Sequence, residues 1–312
     1  MEFKQTRQGY VDALIELAEE IPNMVVLDSD VGKATLTLQF EEKYPSRFFN
    51  CGVQEQNMLS AAAGMSLEGF IPFASTFGVF ATCRAGDQLR DSIAYPKANV
   101  KLGITHCGLT VGGDGASHQA NEDIAITRVF PNMTVLVPGD YEEAKMATKA
   151  AARMMGPVYL RFGRPKVPNF TTVKDGFNIG KGILLKEGLD VTIVATGHLV
   201  WESLEASTEL EKKGISVEVI NIHTIKPLDE DIILESVSKT GCLVSAEEHN
   251  IFGGLGESIS RLITTKFPSP QEFIGTRDTF GESGAPSDLM NKYGLNSTSI
   301  TKSVIDVIKR KR

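Results

Sequence analysis

The 312-residue sequence predicts an α/β fold of two domains, each a mostly parallel sheet with helices on both faces. Three observations predict it. Short runs of Val, Ile and Leu alternate with longer stretches at helical spacing, the order that builds parallel sheets. The alternation lapses once, near the middle, and then resumes. Hydrophobic residues make up 42 % of the chain and charged residues 23 %, which suits a globular protein with two cores of ordinary size.

In chain order, Tyr10, Val11, Leu14, Ile15 and Ala18 recur at helical spacing, so residues 5–20 are expected to form a helix. "MVVLDSD" reads as a buried strand ending in acidic residues. "VKLGITH", "MTVLVPGD" and "PVYLRFGR" read as later strands, and "YEEAKMATKAAARMM" as the clearest helix between them. From Pro165 to about Lys181 the periodicity fades. The pattern restarts with strand "DVTIVATG", helix "LVWESLEASTELEKKG", strand "SVEVINI", helix "EDIILESVSKT", strand "CLVSAEE" and helix "LGESISRLITTKF". We therefore divide the chain into a first domain at 1–168, a linker at 169–184 and a second domain at 185–312. Ligands in such sheets bind beyond the carboxyl ends of the strands. That singles out Asp28, Asp30, His106, Asp140, Arg161, Arg164 and the run Glu247 to His249.

Composition narrows the function. A net charge of −7 with scattered cations disfavours a nucleic-acid surface, and the closing "IKRKR" reads as a solvated helix end. No apolar run reaches the roughly 20 residues of a membrane span, and "MEFKQTRQGY" lacks the core of a signal peptide. Cys51, Cys83, Cys107 and Cys242 form no CxxC pair, so neither a zinc site nor a disulfide framework is expected. The expectation is a cytoplasmic protein with reduced thiols, no membrane partner and no metal ligands of its own.

Four segments carry chemistry. In "FFNCGVQEQNMLSAAAGM", Glu55 stands where an apolar helix begins; it is either a charge favoured by the helix dipole or a functional carboxylate. "GLTVGGDGASHQANED" sets glycines beside Asp114 and His118, close after His106; it is a surface turn or a ligand loop whose backbone N–H groups can approach a substrate. In "STFGVF", Phe77 and Phe80 share a face if helical, as core residues or as a stacking platform. "IFGGLGESIS" lacks the third glycine of a dinucleotide loop, since Ile259 follows Gly254 and Gly256, and is read as a tight turn from strand to helix.

"GVQEQNM", "STFGVF", "THCGLTVGGDGASHQ", "VLVPGD" and "LRFGRPKVP" occur in this order in the carboxy-terminal two thirds of transketolases, which the chain resembles from about Thr6 onward. It is similar also to deoxyxylulose-phosphate synthases and to the β subunits of 2-oxoacid dehydrogenases. The family's diphosphate-binding signature, a GDG followed by an asparagine, is missing, because Gly113 to Gly115 belongs to the His118 motif. The resemblance thus implies the second half of a split transketolase. Its pyrimidine-binding domain would homodimerise and pair with a separate amino-terminal half in an α2β2 assembly.

The resemblance also implies roles. Glu55 would contact the aminopyrimidine of thiamine diphosphate and promote loss of the thiazolium C2 proton, a task that calls for a desolvated carboxyl. Phe77 and Phe80 would stack the ring, with Asp30 close by. His106, Asp114 and His118 would bind sugar hydroxyls, the histidines aiding proton transfer. Arg7 and Arg164 would hold the phosphate of a sugar phosphate. Mg²⁺ would be held mainly by the partner chain. In two places the pattern departs from the family: Ala34 and Thr35 stand near a phosphate-binding serine, and Cys83 replaces an aromatic residue. The paired arginines and the His106, Asp114 and His118 set favour phosphorylated sugars over 2-oxoacids. Glu55 and the histidines argue against a non-catalytic scaffold. His198, His223 and His249 are expected to be structural.

Overall fold

The structure, a computed structural model, describes residues 2–172 and 176–311; residues 173–175 of the expected linker lie outside the described part. Its first half contains β1 (Phe3–Gln5), α1 (Thr6–Glu20), β2 (Met24–Asp28), α2 (Gly32–Thr35), α3 (Leu38–Lys43), β3 (Phe48–Asn50), α4 (Glu55–Leu67) and β4 (Ile71–Phe77). Two π-helical segments, Phe80–Arg84 and Gln88–Ala94, follow. Then come β5 (Lys101–Thr105), α5 (Asp123–Val129), β6 (Thr134–Leu136), α6 (Tyr141–Arg153), β7 (Val158–Arg161) and β8 (Lys166–Pro168). The second half contains β9 (Ile183–Lys186), β10 (Val191–Ala195), α7 (Leu199–Glu211), β11 (Val217–Asn221), β12 (Thr224–Lys226), α8 (Glu230–Thr240), β13 (Leu243–Asn250), α9 (Leu255–Lys266), β14 (Gln271–Thr276), α10 (Pro286–Lys292) and α11 (Ser297–Ile308).

The main sheets are of seven strands, ordered β12-β6-β7-β5-β4-β2-β3, and five strands, ordered β14-β13-β10-β11-β9. Each is parallel except for one antiparallel edge, β12 in the first and β9 in the second. The α/β expectation therefore holds. Every residue of β2 is buried, because a central parallel strand is covered on both faces. Its alternate side chains part accordingly. Val25 and Leu27 join a cluster with Met58, Leu59 and Ala62 of α4, while Met24 and Val26 join one with Tyr10, Leu14 and Leu17 of α1 and Ala144 and Ala147 of α6.

Two features depart from the expected organisation. Strand β8 falls inside the stretch that lacks periodicity and pairs with β1, which ties the end of the first half to its beginning. Strand β12 comes from the second half yet extends the first sheet by pairing with β6. Three-residue strands are too short to show alternation, and both owe their existence to a distant partner.

Candidate active site

The carboxyl ends of the neighbouring strands β2, β4, β5 and β7 lie along one edge of the first sheet. Chain leaving them carries Asp30, Phe80, His106 and Arg164, and β4 ends on Phe77 itself. Arg7 and Glu55 come from the first turns of α1 and α4.

Glu55 is the first residue of α4 and is only 1 % exposed. Met58, Leu59, Ala62 and Ala63 pull that face of the helix into the core and carry the carboxylate with it. Its Oε2 accepts a hydrogen bond from Arg84 Nη1 at 3.0 Å. The same guanidinium lies over the ring of Phe80, 4.4 Å from its centroid. Phe80 stacks on Phe77 at 5.7 Å. The two phenylalanines do meet, although not on one helical face, since Phe77 closes β4 and Phe80 opens a π-helical segment. A depression of about 390 Å³ opens beside Glu55, lined by Val53, Gln54, Gln56, Asn57 and Arg84.

On the other side of the aromatic pair, the His106 ring stacks on Phe77 at 4.0 Å, and the His118 ring meets Phe80 edge-on at 5.3 Å. His106 adopts a left-handed backbone, φ 56°, that turns the chain sharply at the end of β5. Its Nε2 lies 3.5 Å from Arg7 Nη1, and its Nδ1 lies 2.8 Å from Thr105 Oγ1. Arginine can only donate, so Nε2 accepts and Nδ1 carries the hydrogen given to the threonine. Burial first, then the charges of Arg7, Arg164 and His118, push the imidazole down to about 3. His106 is therefore neutral at ordinary pH.

Arg7 and Arg164 line a cleft of about 330 Å³ with Thr110, Val111, Gly113 and Pro286. Each already donates to a backbone carbonyl, Arg7 to Ala34 and Arg164 to Val111. Burial and then repulsion from Arg164 lower the Arg7 pKa, a tension that a bound anion would relieve. Asp114 lies 3.6 Å from Arg164, next to Gly113 of the cleft wall. Glu55, Arg84, Phe80, Phe77, His106 and Arg7 thus form one connected line of contacts, with His118 against the two phenylalanines and Arg164 lining the same cleft as Arg7. Asp30 stands at its margin: it is exposed and accepts from Asn50 Nδ2 at 2.9 Å, and Asn50 in turn accepts from Gly52 N in the turn before Glu55.

Several polar residues singled out by their position at strand ends hold the fold instead. Asp28 is buried and accepts from Val31 N and from the hydroxyls of Thr35 and Thr37. Asp140 caps α6 and receives the N–H groups of Phe170 and Thr171. Arg161 pairs with Asp123, and Glu247 accepts the N–H groups of Leu255 and Gly256 at the start of α9. The strand-to-helix turn expected at "IFGGLGESIS" is thereby held by a carboxylate. His249 is fully buried, donating to the carbonyl of Asn250, and His223 stacks on Phe177. The glycine loop also differs from an open ligand cradle. Gly112 and Gly115 have left-handed backbones, and their missing side chains leave room for Pro286 and Ser283 of the second half.

Arg84 escaped the sequence reading. Its pairing with Glu55 spans 29 positions, and a basic residue in an apolar stretch gives no sign of which carboxylate it will meet. Among the described residues, no group of three or more His, Cys, Asp or Glu side chains is placed to hold a metal ion, and no helix is long and apolar enough to cross a membrane.

Comparison with known proteins gives two family matches, "Transketolase, pyrimidine binding domain" over residues 3–169 and "Transketolase, C-terminal domain" over residues 180–300. A putative transketolase C-terminal section from Methanocaldococcus jannaschii is 44 % identical, covering 99 % of this chain and 98 % of that one. A 6-deoxy-6-sulfo-D-fructose transketolase subunit from a Clostridium species is 40 % identical over 98 % of this chain and 95 % of its own. Among solved structures, a split gene transketolase described as an inactive β4 tetramer superposes with a TM-score of 0.93 at 46 % identity, covering 99 % of both chains.

Proposed function

The chain belongs to the transketolase family, and on that premise we propose that it is the pyrimidine-binding subunit of a split, thiamine-diphosphate-dependent transketolase. The observation that carries this reading is the unbroken line of contacts from Glu55 through the Phe77–Phe80 stack to His106 and Arg7.

The residues fit the cofactor's ring. Arg84 is a flat, hydrogen-bonding group that touches both the Glu55 carboxylate and the Phe80 face, and an aminopyrimidine offers those same two features. Glu55 would hold the ring nitrogen N1′, and Phe77 and Phe80 would stack the ring, with Asp30 at its margin. When bound, thiamine diphosphate supplies the carbon nucleophile that carries a two-carbon ketol unit between sugars. Glu55 would donate or keep the proton at N1′, and its burial would exclude the water that competes for that bond.

His106, neutral and fixed by Thr105 and Arg7, presents an uncharged ring beside Phe77, and His118 faces the same stack. With Asp114 they would bind hydroxyls of the sugar. Arg7 and Arg164 would take its anionic group, a phosphate, or a sulfonate such as the name of the 6-deoxy-6-sulfo-D-fructose enzyme carries. Mg²⁺ and the diphosphate fall to a separate partner chain, because the GDG-to-Asn signature is missing here. Two copies joined through their pyrimidine-binding domains, with two partners, would close as α2β2.

Glu55→Gln tests the reading. The amide cannot relay the proton, so ketol transfer in the presence of the partner is expected to fall by roughly 10²- to 10⁴-fold with the fold intact. Turnover close to that of the native chain would remove the central assignment.

A further inference from the structure

Besides Pro286 and Ser283, the second half of the chain reaches the candidate site through two buried side chains. Glu248, near the carboxyl end of β13, is 3 % exposed, and its Oε1 accepts the N–H of Thr110 at 2.7 Å. Its Oε2 lies 3.1 Å from Nδ1 of His198, which follows β10. Both side chains fill places where the first half has only glycine. A Cβ on Gly108 would stand 2.3 Å from Glu248 Oε1, and one on Gly163 would stand 2.0 Å from the His198 ring. The Glu248 carbonyl accepts from Arg161 at 2.9 Å, which fixes the strand end as well as the side chain. The carboxyl edge of the second sheet is therefore closed over the loop that carries the candidate substrate residues.

Thr110 and Val111 are the pivot. Glu248 holds the N–H of Thr110, the carbonyl of the following residue, Val111 O, accepts from Arg164, and Arg164 pairs with Asp114. One residue of the second half thus sits two links from the arginine that faces the cleft. Gln119 strengthens the same connection, donating to Leu109 O at 3.1 Å and to Glu282 O at 2.9 Å. Burial works against the Glu248 charge, but His198 and Arg161 outweigh it and hold its pKa below the usual value. The carboxylate is kept ionised, and a charged acceptor holds an N–H more firmly than a neutral one.

We propose that Glu248 is a positioning residue: it fixes the 106–118 loop so that Arg164 and Asp114 are aimed into the substrate cleft. This rests on the reading of that cleft as the sugar-binding site, and it gives the second domain a part in substrate binding.

The test uses Glu248→Ala and Glu248→Gln in the full chain. Hydrogen exchange of the peptide spanning 106–118 is followed in the chain alone, and kinetics with the partner added. Glu248→Ala is expected to speed exchange in that peptide while the strands of both sheets stay protected. It is also expected to lower kcat/KM by roughly 10- to 100-fold, mainly through KM for the sugar, with thiamine-diphosphate affinity unchanged. Glu248→Gln keeps an oxygen for Thr110 and is expected to restore most of both readouts. Unchanged exchange in the loop overturns the proposal, as does a loss of protection spread over both sheets, which marks a purely structural role. His118→Ala separates the two levels of the argument. If it leaves the sugar KM unchanged, the site reading fails while exchange still decides the positioning. If it raises KM and Glu248→Ala does not, the positioning fails alone.

Discussion

Glu55 could be picked out as a polar residue at the mouth of an apolar helix, and its burial follows from the side chains one turn further on. What holds it could not be read, because Arg84 meets it only after two segments fold back on each other. The buried titratable groups lead to a prediction on acidity. Burial pushes His106 down to about 3 and His223 and His249 to about 4, so unfolding below pH 6.5 lets each take up a proton that the folded state refuses. Their contribution is intact above pH 6.5 and is lost as the pH falls. Glu247 acts in the opposite sense: burial raises it to about 7, so the folded state keeps a proton that the unfolded chain gives up from about pH 4.5. Asp28, also raised by burial, opposes the histidines in the same way. Between pH 6 and pH 5 the three histidines outweigh these two carboxyls, so unfolding takes up protons and stability falls on acidification, by on the order of 1–3 kcal/mol per pH unit. Urea unfolding at both pH values measures it. Stability that holds constant or rises on acidification would contradict the placement of these histidines.

At the scale of the element, the loop between β5 and α5 shows what glycine does here. Gly108 has φ +82° and Glu248 pressed against it, whereas Gly113 has nothing within 4 Å of its missing Cβ. Gly108→Ala is expected to destabilise the chain by roughly 1–3 kcal/mol, the usual result of overpacking, and Gly113→Ala to stay within about 0.5 kcal/mol. Equal effects in urea unfolding would show that the second half does not press on this loop. Arg164, which donates to Val111 O of the same loop, and Arg7 at the start of α1 line one cleft. Arg7→Ala and Arg164→Ala are expected to weaken phosphorylated sugars selectively, each removing a charge-assisted contact of roughly 1.5–3 kcal/mol. Comparing kcat/KM for a sugar phosphate with that for its dephosphorylated analogue checks this, and an equal loss on both would make the arginines structural. Buried strands such as β2 were legible because an unbroken apolar run of that length has few other uses. Strands β1, β8 and β12 were not, because pairing with a distant segment, and not local pattern, makes them strands. Nor could periodicity show that Phe77 and Phe80 would stack across the junction of a strand and a π-helical segment.

Across the whole molecule, the two sheets meet at their carboxyl edges, so the second domain completes the wall of the cleft that holds Arg7 and Arg164, while the Glu55 depression opens elsewhere on the first. Two domains were legible from the break in periodicity. Their joining was not, because the contacts that Glu248, His198 and β12 make with the first half span more than thirty positions. In the proposed enzyme this chain grips the aminopyrimidine end of the cofactor and the sugar, and the partner grips the diphosphate with its cation. The direct measurement is thiamine-diphosphate binding and ketol transfer by the purified chain, with Mg²⁺, before and after a candidate amino-terminal transketolase half is added. The account predicts weak binding and no turnover for the chain alone, with both appearing on addition of the partner. Tight cofactor binding and sugar turnover by the isolated chain would contradict it.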